Sequence, residues 1–254
     1  MVSDIPAATR RQPRAERNDR ALLQAAREVV AEDGAHASVA AIAARAGVGI
    51  GSLYRRYRTK EALFQHLALL SLEHWNAAAE HALADEDPWR GLAGFVTACA
   101  EFGQGTLGPV AGTITVTEAM ATASTEGDTL LEALVARAHD AGVVRPDVTA
   151  PDISLLIEQL GRSPLLDQLR RQGRADLLPA AEAARRRVVA IAVAGLRPRA
   201  PAGATGPSGG GAAGPAAGDP TDPLPGETPS LRLFTERWAR PGGESPTDAA
   251  PGSS

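Results

Sequence analysis

The chain has 254 residues and a formal net charge of −4; 44% of its residues are apolar but only 4% are aromatic. Alanine and leucine must therefore fill the core, which favours closely packed helices. One cysteine, Cys99, excludes an intramolecular disulfide and suits a reducing compartment.

Charge is unevenly spread along the chain. Residues 1–64 carry 11 basic and 7 acidic side chains, residues 65–197 carry 11 and 17, and residues 198–254 carry 4 and 6. A basic head on an acidic body turns one end toward a polyanion and keeps the other off it. The first residues lack the apolar stretch of a secretory signal, and the best late apolar run, 188–196, falls far short of the ~20 residues that span a bilayer. A cytoplasmic protein is expected.

The chain opens on a basic flexible arm, residues 1–15. Arg10, Arg11 and Arg14, with Arg17 just beyond, either follow a minor groove or stay solvated. Asn18 is a good N-cap, and Leu22, Ala26, Val29 and Val30 recur at helical spacing until Gly34. Ser38 caps a short second helix with the stripe Val39, Ile42, Ala43 and Ala46, and Gly47 supplies a left-handed stop. A third helix must start at once, at Gly49 or Ile50, and run to Tyr57. Thr59 caps a fourth, which starts at Lys60 and leaves the head for the body, ending near residue 84. Two short helices joined by a tight glycine turn make a helix-turn-helix, here residues 38–57 within a domain over 16–64. Gly49, Gly51 and Ser52 give the third helix a thin leading end that lets backbone approach base edges and phosphates. Arg55 and Arg56 add charge toward DNA. Leu53 and Tyr57 face inward, and periodicity puts Ile50 with them.

Residues 65–197 read as helices throughout. Asp87 and Pro88 open one over 89–104 that buries Leu92, Phe95, Val96, Cys99 and Phe102. Two more cover 113–124 and 129–141, the second stopped by Gly142. Thr149 and Asp152 form a near capping box for a helix to about residue 160. A shorter helix covers 163–172, and Pro179 opens the last, which ends near 196. Only residues 112–117, GTITVT, compete as a strand. The tail, 198–254, is about two-fifths Pro and Gly, a composition expected to be disordered. Its island SLRLFTERWARP places Leu231, Phe234 and Trp238 on one helical face: a short docking helix over 230–240, or an apolar patch in a loose tail. The fold class expected is all-α, with about nine helices.

SVAAIAARAGVGIGSLYRRYRTKEALF, residues 38–64, resembles the DNA-binding domain of the tetracycline-repressor (TetR) family. The shared pattern is a Ser cap, an Ile-Ala pair, Ala-Gly-Val, small residues, Leu-Tyr, a second aromatic and Lys-Glu-x-Leu. The likeness covers residues 16–66. In the body, GVVRPDVTAPDISLLI is similar to a stretch common in actinobacterial members. The resemblance implies a homodimeric, all-helical, ligand-responsive regulator on a palindromic double-stranded operator. By position, Ser38, Ser52, Tyr54 and Lys60 match the family's phosphate contacts. Gly49, Ile50, Gly51 and Arg55 stand where members reach bases or nearby backbone. Arg56 and Tyr57, in place of the usual His and Phe, complete the candidate DNA-contact set. The family turns Ile50 toward DNA, against the periodicity, so Ile50 stays open between core and base contact. Gly49 stands where a Ser is common. A cation at a helix start opposes the dipole, so Lys60, the chain's one lysine, is expected to answer to an outside anion.

The resemblance further implies a ligand pocket among the middle helices. Trp75, Phe95, Cys99, Phe102, Met120 and Leu134 are its candidate lining, each equally readable as ordinary core. The dimer is expected to pair two helices of each chain as a four-helix bundle, through Ile153, Leu156, Ile157 and Leu160 and through Ala184, Val188, Ile191 and Ala192. No enzyme, metal or cofactor is expected. His66, His74 and His81 are spaced by 8 and 7 residues, and a rise of about 10.5 Å over seven residues is too long for two rings to share a zinc. Two functions compete: a sequence-specific DNA-binding regulator, a repressor released by a small molecule, and a helical dimer that acts through protein partners.

Overall fold

The computed structural model describes residues 12–103 and 105–198, together with Leu224 and Pro229, and side chains from Asn18 onward. The arm residues Arg10 and Arg11, most of the tail and its 230–240 island lie outside the described residues. Nine α-helices and no strand occur among those described.

Helix α1 (Gln12–Asp33) starts six residues before Asn18, which lies inside it rather than capping it. Residues 14–17, Arg-Ala-Glu-Arg, are mostly strong helix formers, and Pro13 is tolerated in a first turn. Helices α2 (Val39–Ala46) and α3 (Ile50–Arg56) follow. Then α4 (Lys60–Ala84) runs unbroken from head to body, its first turn capped by Thr59, whose Oγ1 accepts from the Ala62 amide at 3.0 Å. Among the described residues, no helix is long and apolar enough to cross a membrane.

Two cores meet along α4. The head core joins α1, α2, α3 and the first half of α4 with Leu107, Val110 and Ile114, which come from the connection between α5 (Pro88–Phe102) and α6 (Glu118–Asp140). The body core joins the second half of α4 with α5, α6, α7 (Ala150–Gly161) and α9 (Leu178–Ala194). Helix α8 (Pro164–Arg171) packs Leu166 and Leu169 on Ala181. The ambiguous GTITVT stretch is no strand: Glu61 Oε1 accepts from the Thr115 amide at 2.7 Å, and Gln65 Nε2 donates to the Thr115 carbonyl at 2.9 Å. Side chains of α4 thus satisfy its backbone.

Helix α6 is one helix where the sequence suggests two. Thr117 caps it, and Gly127 lies in its middle rather than between helices. There α4 crosses so closely that a Cβ on Gly127 would stand 2.6 Å from Asn76 Oδ1 and 2.9 Å from Trp75 Cδ1. Asn76 Nδ2 donates to the Ala123 carbonyl at 3.0 Å and to Glu126 Oε2 at 3.1 Å. Trp75 Nε1 donates to the Gly127 carbonyl at 3.4 Å. The glycine marks a crossing point, and tertiary contacts outweigh its propensity cost of about 1 kcal/mol.

Candidate nucleic-acid interface

The helix-turn-helix is built from local signals. Ser38 Oγ accepts from the Ala41 amide at 3.0 Å, satisfying one of the free donors that start α2. Gly47 ends the helix at φ 66, and the next amide, of Val48, returns to the Ala43 carbonyl at 2.9 Å. Val48 packs half-buried against the head core. Gly49 caps α3 with no side chain, and its carbonyl accepts from the Ser52 amide at 2.9 Å.

Helix α3 has two faces. Leu53 and Tyr57 are buried, Tyr57 only 8% exposed, and its hydroxyl is enclosed without a hydrogen-bond partner among the described residues. Burial pushes that phenol up to about 12. Tyr57 is therefore a support beneath α3, as its spacing implies, and its burial does not favour the DNA contact that the resemblance assigns it. Ile50 and Tyr54, 45% and 48% exposed, form the outer face with the exposed Gly49, Gly51, Ser52 and Arg55. Ile50 is not core: it occupies the first turn of a seven-residue helix, where no neighbouring element among the described residues covers it.

The basic residues differ in what holds them. Arg55 Nη2 donates to Ser52 Oγ at 2.8 Å, within α3. Arg56 turns back to the protein: its two terminal nitrogens reach Asp19 of α1 at 2.6 and 3.1 Å. The Asp19 carboxylate raises the Arg56 guanidinium, and His66 Nε2 of α4 lies 3.8 Å from the same carboxylate. Asp19 thus joins α1, α3 and α4. Sequence reasoning missed it, because it lies 37 residues from Arg56 and no local pattern links them. Lys60 Nζ donates to the Ala35 carbonyl at 2.9 Å, so a protein acceptor already answers its charge at the start of α4. Ser38 and Lys60 both remain exposed.

The candidate pocket is mostly core. Cys99, Leu134 and Phe95 are buried in the body core, where Trp75 meets Phe95 edge-on at 4.9 Å, and Met120 is buried in the head core. Burial pushes the Cys99 thiol up to about 12. Phe102 borders a cleft between head and body, and it is half-buried rather than enclosed. Its ring is sandwiched between the His74 ring at 3.4 Å and the Arg27 guanidinium at 4.0 Å. The candidate dimer residues also divide. Ile153 and Ile157 are wholly buried against the protomer's own core, so they are not on a free face. Leu156 and Leu160 are half-buried on that core, and Ala192 is half-buried too. Val188 and Ile191, 56% and 64% exposed, form an apolar face on α9 that none of the described residues covers.

Two family models match the chain. One, described as bacterial regulatory proteins of the tetR family, matches residues 22–67; the other, the C-terminal domain of SbtR-like transcriptional regulators, matches residues 87–198. Together they take in more than half of the chain. Among solved structures, a TetR transcriptional regulator from Streptomyces coelicolor is 23% identical over 72% of this chain and 99% of its own, with a TM-score of 0.48. A TetR regulatory protein from Mycobacterium vanbaalenii is 27% identical over 73% and 98%, with a TM-score of 0.47. The regulator PfmR from Thermus thermophilus is 22% identical over 62% and 96%, with a TM-score of 0.42. No curated protein matches.

Proposed function

Since the chain belongs to the TetR family of bacterial regulatory proteins, we propose that this DNA-binding transcriptional regulator is a repressor that grips a palindromic operator as a homodimer and lets go when a small molecule binds. The observation that carries the reading is the two-faced α3. Ile50 and Tyr54 stand outward over the buried Leu53 and Tyr57, on a helix whose leading end carries two glycines. A bulky leading end would hold the backbone off the groove; this one admits it. Ser38, Ser52, Tyr54 and Lys60 would meet phosphates, while Gly49, Ile50, Gly51 and Arg55 lie against base edges. The dimer would form on the apolar face of α9 around Val188 and Ile191.

A gel-shift titration against the DNA flanking the chain's own gene, repeated across a salt series, tests the reading. Specific binding whose affinity falls steeply with salt is expected. Equal affinity for that DNA and for a scrambled duplex at every salt concentration rejects it.

A further inference from the structure

Residues of α1, the C-terminal ends of α5 and α7, and the sides of α8 and α9 line a cleft of about 370 Å³ between head and body. Four arginines line it, Arg27, Arg170, Arg185 and Arg186, and two of them reach across the seam, one from each side. Arg27 of α1, 6% exposed, donates to the Phe102 carbonyl at the end of α5 and to Ser71 Oγ at 3.4 Å, and its Nε is buried without a partner. Arg185 of α9 donates to the Ala100 carbonyl and, at 3.3 and 3.4 Å, to the carbonyls of Leu160 and Gly161 at the end of α7. Burial lowers both guanidiniums, Arg27 to about 10.

Neither arginine makes an ion pair among the described residues. The carboxylates of the wall are engaged elsewhere or exposed. Glu28 pairs with Arg45 at 3.4 Å and Asp167 with Arg170 at 3.4 Å. Glu101 and Glu182 are exposed and act on Arg185 only at longer range. Among the described residues, neither guanidinium has a carboxylate in contact with it, and the Nε of each is buried without a hydrogen-bond partner, which is costly in a partly dehydrated site.

We propose that this cleft binds a small organic carboxylate, whose oxygens meet the Arg27 and Arg185 guanidiniums and tie the head to the body. The class follows from the chemistry: a planar guanidinium matches a carboxylate in two parallel hydrogen bonds. The volume lies near the lower end of the roughly 300–1,000 Å³ of ligand sites, so the ligand is small. Phe102 and Leu166 offer it an apolar wall. A ligand that bridges α1 and α9 favours one head orientation over others, and that difference is what regulation of DNA affinity requires. This consequence rests on the regulator reading; the anion site does not.

Calorimetric titration of the full chain with benzoate, acetate and inorganic phosphate, in chloride buffer at constant ionic strength, reads the site. Benzoate or acetate should saturate one site per chain, and Arg185→Gln should weaken it by about tenfold or more. Arg27→Lys should do the same if its melting curve shows it folded; Arg185→Gln decides alone if it does not. Saturation by neither carboxylate, whether or not phosphate binds, or binding that Arg185→Gln leaves unchanged, overturns the proposal. Gel shifts run in parallel separate the two readings. A chain that binds DNA but neither carboxylate loses only the anion site, and one that binds a carboxylate but no DNA keeps it.

Discussion

The Arg56 guanidinium has the position of a DNA contact and the partner of a structural residue. Its pair with Asp19 is partly exposed, and such pairs contribute only about 0.2–1 kcal/mol. The pair therefore does more to aim Arg56 than to hold the head together. Asp19→Ala should leave stability within about 1 kcal/mol of the parent but steepen the salt dependence of DNA binding by about one charge, as Arg56 becomes free to meet a phosphate. Fluorescence anisotropy of a labelled duplex across a salt series measures this. Tyr54→Ala should weaken all duplexes alike in the same assay, and Ile50→Ala should change the order of preference among them. His74 carries a pH effect. Burial first, then the charges of Arg27 and Arg20, lowers its pKa from 6.5. The unfolded chain then takes up the proton first, so this stability is complete above about pH 6.5 and is lost as the pH falls from there through the lowered value. Thermal melts from pH 8 to pH 5 should fall more steeply in the parent than in His74→Gln. At this scale the caps Ser38, Thr59 and Asp87 and the inward pair Leu53 and Tyr57 were legible, because neighbours within four residues decide them. Asp19, Arg27 and Arg185 were not, since their partners lie 24 to 85 residues away.

Helices were legible where their ends carry chemistry and misread where a glycine had another use. Gly47 does end α2, at a left-handed φ. Gly127 falls between the two helices that the sequence suggests, yet it lies inside α6, where Trp75 and Asn76 press against it. Sequence periodicity cannot tell a glycine that ends a helix from one that lets another helix approach. Gly127→Ala puts a methyl group into that contact and should cost about 1–3 kcal/mol, the usual penalty of overpacking. Urea unfolding measures the loss. The same substitution made beside Asn76→Ala should cost clearly less, because one of the two colliding side chains is gone. A simple gain in helix propensity would instead stabilise both backgrounds. The α5–α6 connection was the least legible element. Leu107, Val110 and Ile114 complete the head core from a segment with no regular period, and only the folded chain brings them beneath α1 and α4.

For the molecule as a whole, the all-helical plan with a head and a body was legible from apolar spacing and charge, but part of the face assigned to a second copy lies in the protomer's own core. Helix α7 is apolar on more than one side, so its sequence does not say which side meets its own core; Ile153 and Ile157 do. None of the described residues covers Val188 and Ile191 of α9. Ile191→Glu should give a monomer by sedimentation velocity at micromolar concentration, with its helical signal intact and its operator affinity greatly reduced, because one head spans only half a palindrome. Helix α4 passes from one core to the other, and its crossing with α6 at Trp75 and Asn76 can serve as a fulcrum. Lys60 lies sixteen residues from Asn76, a lever arm of about 24 Å, so a tilt of about 10° there swings the head end by about 4 Å. Two heads that must match grooves about 34 Å apart would each be carried off by more than the width of an atom. In the proposed dimer, a tilt of that size at a buried glycine would thus be geared up into a misfit of spacing.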